Sequence, residues 1–223
     1  MKLTTGVKSI LIIIMVLALD QVTKVLVKTN MSIGESIHIS NWFYIKFIEN
    51  PGMAFGLDIP GRLGKPMLTI FRIIAVAGIG WYMNLMIKKD SKPGLLYFMA
   101  FIFAGAMGNI IDCTIYGRIF NESTYYSIAT LFPEEGGYAP LLHGQVVDMF
   151  YFPLLQGIYP HWVPWIGGQE FIFFRPIFNV ADSSITFGII AILIFQKRYF
   201  TEPEPAAGSS NSVDGVPLPD NTV

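Results

Sequence analysis

The sequence predicts an α-helical integral membrane protein in which four transmembrane helices carry a small β-sheet at the outer surface of the membrane. Of its 223 residues, 52% are hydrophobic and only 14% are charged, whereas soluble domains carry about 25% charged residues. Four apolar stretches are long enough to cross about 30 Å of hydrocarbon, which takes roughly 20 helical residues. These stretches cover residues 9–27, 66–87, 94–111 and 177–195.

The first apolar stretch could also be a cleaved signal peptide, because Lys2 and Lys8 precede its apolar core. Against this, Asp20 and Lys24 follow at once, and no small-x-small cleavage site is present. We therefore expect residues 9–27 to remain in the protein as the first membrane helix.

Positive charges predict the orientation of the four helices. They lie before the first helix, between the second and third, and after the fourth: Lys2, Lys8, Lys88, Lys89, Lys92, Lys197 and Arg198. Since cytoplasmic loops are rich in Lys and Arg, both termini are predicted to be cytoplasmic. The loops 28–65 and 112–176 are then outside. Residues 1–200 form one membrane domain in this interpretation, and residues 201–223, rich in Pro, Gly, Ser, Asp and Asn, form a disordered cytoplasmic tail.

A short strand is predicted in the first outer loop. Phe43, Ile45 and Phe47 recur at every second position, which is typical of a strand with one buried face. Residues 169–174 could form its partner and complete a small sheet. The segment 120–144 has no evident periodicity, and loops of that length are normally functional or disordered.

Polar side chains from several segments fall at one depth. With a rise of 1.5 Å per residue, Asp20 lies past the midplane of the first helix, towards the outside. The others lie at the outer end of the third helix, in the first turns of the fourth, or in the outer loops: Asn50, Asn109, Asp112, Asp148, Asn179 and Asp182. Random placement would scatter such residues across both leaflets, so the pattern favours one polar site on the outer side.

The spacing of these residues supports the same interpretation. Residues three or four positions apart share one face of a helix. Three predicted helices each carry such a pair: Asp20 with Lys24, Asn109 with Asp112, and Asn179 with Asp182. The first pair is interpreted as a structural ion pair inside the membrane.

Asp148 and Asp182 are the candidate catalytic residues. A carboxylate at membrane depth is unfavourable unless it is paired or lines a wet cavity, so two of them indicate a function. Two carboxyl groups about 3 Å apart share one proton. The ionised member can take a proton from water, and the protonated member can bind a substrate carbonyl and later protonate the leaving amine. This pair predicts peptide hydrolysis without a metal or another cofactor.

Each of these residues also has a less specific interpretation. Asp182 could cap the fourth helix, Asp148 could be a solvated loop residue, and Asn50, which precedes Pro-Gly, could be a turn residue. Asp112 could cap polar backbone at the end of the third helix, and Gly108 could be a close packing position. These interpretations do not explain the common depth.

Other classes of protein are less compatible with the sequence. No basic cluster indicates nucleic-acid binding, and the single cysteine, Cys113, with three scattered histidines, argues against a disulfide or a zinc site. An ion- or proton-coupled transporter is the main alternative, because intramembrane acids also mark ion pathways. Four helices without inverted repeats argue against it, and an assembly factor would leave the acid pair unexplained.

Five motifs follow one another over roughly residues 10–195. They are Asp20-Gln21-x-x-Lys24, Asn50-Pro51-Gly52-Met53-Ala54-Phe55, Gly108-Asn109-Ile110-Ile111-Asp112, Val146-Val147-Asp148-Met149 and Phe178-Asn179-Val180-Ala181-Asp182-Ser183. In this order they resemble lipoprotein signal peptidase, the bacterial type II signal peptidase, an aspartic protease of the inner membrane. The resemblance implies that Asp148 and Asp182 are the catalytic dyad. It also implies that eight residues bind substrate or support the site: Asp20, Lys24, Asn50, Gly108, Asn109, Asp112, Asn179 and Ala181.

The substrate implied by the resemblance is a prolipoprotein whose cysteine carries diacylglycerol, cut just before that cysteine. Acyl chains would lie in the bilayer while the peptide bond reaches the acids near the outer face. Membrane lipids are the other expected partners, and we expect a monomer that binds no nucleic acid. The resemblance further implies a β-cradle on the outer surface and a mobile loop over the site.

Two features depart from the resemblance. The family usually has Arg directly after the aspartate of the third helix, where this chain has Cys113. Arg118 or Arg175 could supply the missing guanidinium. The segments 113–145 and 151–176 are also longer than the family pattern, so contacts with substrate are not predicted there.

Overall fold

The computed structural model describes residues 3–51, 64–89 and 92–200. Within these ranges, three helices are long and apolar enough to cross a membrane, and a further apolar helix is shorter. The helices are α1 (Thr5–Asn30), α2 (Gly64–Lys88), α3 (Pro93–Ile111), α4 (Gly117–Ile119), α5 (Val180–Ile194) and α6 (Gln196–Phe200). The predicted class, a helical membrane protein with a small sheet, is confirmed. The predicted tail, residues 201–223, and residues 52–55 of the second motif lie outside the described residues.

Helix α1 extends beyond its predicted stretch at both ends. It begins after Thr4, whose hydroxyl oxygen accepts a hydrogen bond from the Val7 amide at 3.3 Å, a common N-cap. It ends at Asn30, so Lys28 lies in the helix and not in an outer loop that begins at residue 28. At 1.5 Å per residue its 26 residues span about 39 Å, enough to cross the hydrocarbon with some tilt.

The last apolar helix begins later than predicted. Residues 177–178 form a strand, and α5 starts at Val180 with Asn179 as its N-cap. The Asn179 side-chain oxygen accepts a hydrogen bond from the Asp182 amide at 2.9 Å, so the interpretation of Asp182 as the cap is wrong. The 15 residues of α5 span about 22 Å, less than the roughly 30 Å of a bilayer core. The short helix α6 follows one residue after α5 ends.

Helix α3 packs against each of α1, α2 and α5. Small residues allow this close packing, as in other membrane helices. A Cβ atom at Gly105 would overlap the Ala181 carbonyl oxygen, and one at Gly188 would lie 2.7 Å from the Phe98 carbonyl oxygen. The backbones of α3 and α5 therefore touch, and a larger residue at either glycine would separate them.

A four-stranded antiparallel sheet covers the end of the bundle at which α1 and α3 end and α5 begins, here called the sheet end. Its strands, in spatial order, are β1 (Ser36–Ser40), β2 (Phe43–Asn50), β3 (Val146–Tyr151) and β6 (Ile177–Phe178). The strand predicted around Phe47 is confirmed as β2. Its predicted partner is wrong, because β5 (Glu170–Phe173) pairs with β4 (Leu155–Ile158) in a separate hairpin.

An apolar cluster fixes the sheet on the bundle. It joins the end of α1, the chain after α3, and strands β2 and β3, and its buried members are Val27, Met31, Phe47, Tyr116, Phe120, Ala129, Val147 and Met149. Val147 and Met149 flank Asp148 and are 0% and 1% exposed. Burying apolar side chains is the main stabilising term in folding. These two neighbours therefore fix Asp148 in position against the start of α5.

The helical chain of α3 continues past its predicted end. A π-helical turn follows at Asp112–Tyr116 and then α4, and such turns are frequent at functional sites. The long segment 120–144 packs against this extension: the Gly144 amide donates to the Cys113 carbonyl at 2.9 Å, and the Ala139 amide donates to the Gly117 carbonyl at 2.8 Å. A Cβ atom at Gly144 would overlap the Asp112 carbonyl oxygen, so this contact requires glycine.

Candidate active site

One side chain joins the two candidate catalytic residues. Asp148 lies on β3 and not in a loop as predicted, and Asp182 lies in the first turn of α5. The pairing of β3 with β6, which leads directly into α5, brings these elements together. Asn179 donates from Nδ2 to Asp148 Oδ1 at 2.7 Å, and its own oxygen accepts the Asp182 amide. Asn179, the N-cap of α5, is therefore also a hydrogen-bond partner of Asp148.

A second amide holds Asp182 from α3. Asn109 donates from Nδ2 to Asp182 Oδ1 at 2.8 Å. Its oxygen accepts hydrogen bonds from Lys24 Nζ at 2.9 Å and from Asn179 Nδ2 at 3.2 Å. Asn109 thus links the acid on α5 to a cation on α1.

A buried ion cluster lies behind these amides. Lys24 Nζ is 2.9 Å from Asp20 Oδ2 and 2.7 Å from Asp112 Oδ2, and all three side chains are fully buried. The predicted Asp20–Lys24 pair is present, with Asp112 as a second carboxylate. Two carboxylates offset much of the penalty for burying one ammonium group, and breaking such a cluster is strongly destabilising. The lysine is linked to Asp182 through Asn109.

Asp20 also fixes the start of α5. Its Oδ1 accepts a hydrogen bond from the Ala181 amide at 2.9 Å, and a carboxylate is favourable at the positive end of a helix. A Cβ atom at Gly108 would lie 2.5 Å from Asp20 Oδ2. Glycine at this position therefore lets the carboxylate pass between α3 and α5.

Gln21 stands in the first motif, but sequence analysis gave it no role at the site. Its Nε2 lies within 3.0 Å of both Asp20 Oδ2 and Asp112 Oδ1, and its Oε1 accepts a hydrogen bond from the Tyr116 hydroxyl at 3.1 Å. The helix-face rule selects residues three or four positions apart, so it does not select Gln21, which directly follows Asp20. A polar residue next to an acid at membrane depth was the available signal.

Asp148 is held in an environment that favours its neutral form. Burial and the nearby Asp182 carboxylate raise the pKa of Asp148 to about 7, and hydrogen bonds from Asn179 and Asn50 only partly oppose this. Asn50, the last residue of β2, is thereby placed at the site and is more than a turn residue. A carboxyl group that titrates near neutral pH is suited to general acid–base catalysis. Among the described residues, no group of three His, Cys, Asp or Glu side chains could hold a metal ion.

The guanidinium beside Cys113 comes from α2. Arg72 Nη1 lies 3.5 Å from Cys113 Sγ, whereas Arg118 and Arg175, the predicted substitutes, are exposed. Cys113 itself is 1% exposed. Sequence analysis did not single out Arg72, although a cation inside an apolar stretch is a functional signal in itself.

A separate buried cation fastens the sheet and the long loop to α1. Lys28 forms an ion pair with Glu49 on β2, and its Nζ donates to Ser123 Oγ at 2.7 Å. The ammonium group also lies 5.3 Å and 5.1 Å from the ring centres of Phe120 and Tyr138, within the range of a cation–π interaction. Lys28 therefore connects three segments around the candidate site.

Comparisons with known proteins identify the family of this chain. The profile of the family described as signal peptidase II matches residues 12–197. A lipoprotein signal peptidase of Porphyromonas gingivalis (strain ATCC 33277) is 47% identical over 189 residues, covering 84% of this chain and 81% of that protein. One of Amoebophilus asiaticus (strain 5a2) is 35% identical, covering 86% and 78%.

Solved structures show the same fold. Two structures of bacterial membrane enzymes superpose with TM-scores of 0.57 and 0.55 at 25% and 28% identity. They cover 90% and 85% of this chain and 94% and 92% of their own chains. Because the family profile matches most of the chain and the relatives align over most of their length, the chain belongs to the signal peptidase II family and is an aspartic-type peptidase.

Proposed function

We propose that this enzyme removes signal peptides from diacylglyceryl-modified prolipoproteins by cutting the peptide bond just before the lipidated cysteine, with Asp148 and Asp182 as the catalytic dyad. The observation that carries the proposal is the Asn179 side chain, which contacts the Asp148 carboxylate and the Asp182 amide at once. The names of the relatives, all lipoprotein signal peptidases, support the substrate class.

The two acids differ in a way that assigns their roles. Asp148 is 3% exposed, and a neutral acid is easier to bury than a carboxylate, so Asp148 carries the shared proton. Asp182 lies in the first turn of α5, where the helix dipole favours negative charge, and it accepts a hydrogen bond from Asn109. Asp182 is therefore the base.

Peptide hydrolysis then proceeds in two proton transfers. Asp182 takes a proton from water as the water oxygen bonds to the scissile carbonyl carbon, while the Asp148 carboxylic acid hydrogen-bonds the carbonyl oxygen. When the carbon–nitrogen bond breaks, the leaving amine takes up a proton from the pair. The other groups hold both acids in place, which lowers the entropic part of the barrier.

The lipid on the substrate provides binding energy away from the reacting bond. Acyl chains lie in the bilayer beside the apolar helices, and this binding positions the peptide bond at the acids. The distribution of Lys and Arg supports cytoplasmic termini and a sheet end that faces outward from the bacterial inner membrane. Membership in a peptidase family argues against the transporter alternative.

The proposal is tested with purified enzyme and a precursor peptide bearing diacylglycerol on its cysteine. Mass spectrometry is expected to find one cut, on the amino side of the lipidated cysteine. The same peptide without lipid is the control and is expected to be cut at least about 100-fold more slowly, because binding energy from the lipid is then lost. Cleavage at another bond, or equal cleavage of both peptides, would contradict the proposal.

A further inference from the structure

An apolar groove lies between α2 and α3. It encloses about 290 Å³ and is lined on α2 by residues that include Val76 and Gly80, and on α3 by residues that include Phe103 and Ile110. Both helices contribute a stretch about 10 Å long, from the rise of 1.5 Å per residue. A Cβ atom at Gly80 would lie 3.1 Å from the Phe103 ring, so glycine keeps the groove open at its far end.

Arg72 and Cys113 mark the other end of this groove. Arg72 lies one helical turn before Val76 on α2, and Cys113 lies one turn after Ile110 in the chain that extends α3. Their contact, 3.5 Å from Arg72 Nη1 to Cys113 Sγ, connects the two helices at this end of the groove. A cation therefore stands at the end of the groove that is nearer to the sheet.

Residues at this end of the groove are neighbours in sequence of residues of the candidate active site. Ile110, which lines the groove, directly follows Asn109, whose amide donates to Asp182 Oδ1 at 2.8 Å. Cys113 directly follows Asp112 of the buried ion cluster. A molecule whose apolar part lies in the groove thus has its polar end beside the Arg72–Cys113 contact, one residue in sequence from Asp112.

We propose that Arg72 binds the glyceryl-ester oxygens of the lipidated cysteine while one acyl chain of that lipid lies in the groove. This inference rests on the proposed function and adds to it a site for the lipid. A groove with apolar walls and one guanidinium group at its mouth matches an apolar chain that ends in ester oxygens. The guanidinium group has five N–H donors in a fixed plane, so it can hold ester oxygens together with other partners.

The position of Arg72 in the membrane supports a functional role. It lies eight residues after the start of α2, about 12 Å along the helix, where cations are rare and usually face a polar interior or cavity. The Cys113 sulfur is one partner of the guanidinium group.

Kinetics with a diacylglyceryl precursor test the role of Arg72. Arg72→Gln is expected to raise KM at least about tenfold, the loss of one charged hydrogen bond, with kcat changed less than about twofold because the acids are untouched. Arg72→Lys should recover part of the KM, since it keeps the charge but not the planar fork. Arg118→Gln removes the same charge from an exposed residue and should leave both constants unchanged.

A second variant tests the groove independently. Ala77→Phe is expected to fill the groove and to raise KM for a dipalmitoyl precursor much more than for a dibutanoyl precursor, whose chains are too short to reach residue 77, about 7.5 Å along α2 from Arg72. An unchanged KM in Arg72→Gln, or an equal effect of Ala77→Phe on both precursors, would overturn the inference. If both variants instead lose copurified phospholipid by mass spectrometry at unchanged KM, the groove holds a membrane lipid and the assignment to substrate is wrong.

Failure of this inference is distinguishable from failure of the proposed function. Cleavage of the lipidated precursor by the unmodified enzyme, at the bond before the cysteine, tests the function alone. An enzyme that cuts at that bond and is insensitive to Arg72→Gln refutes only the role of Arg72. If Arg72→Gln does not fold, Arg72→Lys and Ala77→Phe carry the same test.

Discussion

Replacing Gly108 by alanine is expected to destabilise the protein by disturbing the buried ion cluster. The new Cβ atom would lie 2.5 Å from Asp20 Oδ2 and 3.2 Å from its Cγ, closer than nonbonded atoms approach. The carboxylate cannot move freely, because Oδ2 pairs with Lys24 Nζ at 2.9 Å and Oδ1 accepts the Ala181 amide at 2.9 Å. Either α1 separates from α3 or one of these bonds breaks.

The size of this effect follows from the two possible responses. Overpacking a tight interior costs typically about 1–3 kcal/mol, and losing a hydrogen bond to a charged group costs about 1.5–3 kcal/mol. A loss of about 2–3 kcal/mol lowers Tm by roughly 4–12 °C for a chain of this size. Activity should fall as well, since Asp20 fixes the first turn of α5 and therefore Asp182.

Thermal unfolding in detergent measures the effect, with Gly78→Ala as the matched control. Gly78 lies on α2, and a Cβ atom there would meet no other atom within 4 Å. Alanine in an open helical position should be neutral or stabilising by up to about 1 kcal/mol. Equal Tm values for Gly108→Ala and Gly78→Ala would refute the packing argument.

Three other variants test single contacts. Asn179→Ser keeps an N-cap for α5 but loses the bonds to Asp148, Asn109 and Val147, so it should lose activity and lower Tm. Asn179→Ala also loses the cap and should be about 1 kcal/mol less stable than Asn179→Ser; equal Tm values for the two variants would contradict this. Gln21→Leu leaves the buried Tyr116 hydroxyl without its acceptor and should cost about 1–3 kcal/mol, measured by the same unfolding; an unchanged Tm would remove Gln21 from the supporting set. Because the pKa of Asp148 is raised from 3.8 to about 7, the native state binds more protons than the unfolded state between these values, so stability falls as pH rises from about 4 to 7, by up to about 1.4 kcal/mol per unit. Asp148→Asn should lose this slope, and an unchanged pH profile of Tm would contradict the assignment.

The helical part of the fold was predictable because lipid imposes a simple rule. A helix that crosses hydrocarbon needs about 20 apolar residues, and composition alone reveals such stretches. Depth along the helices then predicted that Asp20, Asn109, Asp112 and Asp182 come together, and the structure brings them together through Lys24 and the two asparagines. These contacts are set by local helical geometry and need no knowledge of distant pairing.

The sheet was harder to predict because its pairing is not local. Asp148 was placed in a loop because the whole segment 112–176 was assigned to the outer loops, and the apolar residues around it, Val146 to Phe150, do not alternate. A strand buried on both faces does not alternate, and Val147 and Asp148, on opposite faces of β3, are both buried. Strand β2 pairs with β1, its neighbour in sequence, and with β3, which lies about 100 residues away. No residue pattern in a single sequence identifies the distant partner.

Two residues at the site were missed for different physical reasons. Gln21 shares no helix face with Asp20 by the spacing rule, yet its long side chain reaches both carboxylates. Arg72 was visible as a cation within an apolar stretch, but only the packing of α2 on α3 shows that it reaches Cys113. Flexible side chains extend beyond the face that their backbone position predicts.

Single-turnover cleavage of a diacylglyceryl precursor by Asp148→Asn and Asp182→Asn tests the catalytic dyad most directly. Glu170→Gln, which removes one exposed carboxylate from β5, is the control. Each dyad variant is expected to be slower by at least about 100-fold, the usual contribution of a general acid or base, with a folded protein by thermal unfolding and an unaffected control. A rate near that of the unmodified enzyme for either dyad variant would contradict the account.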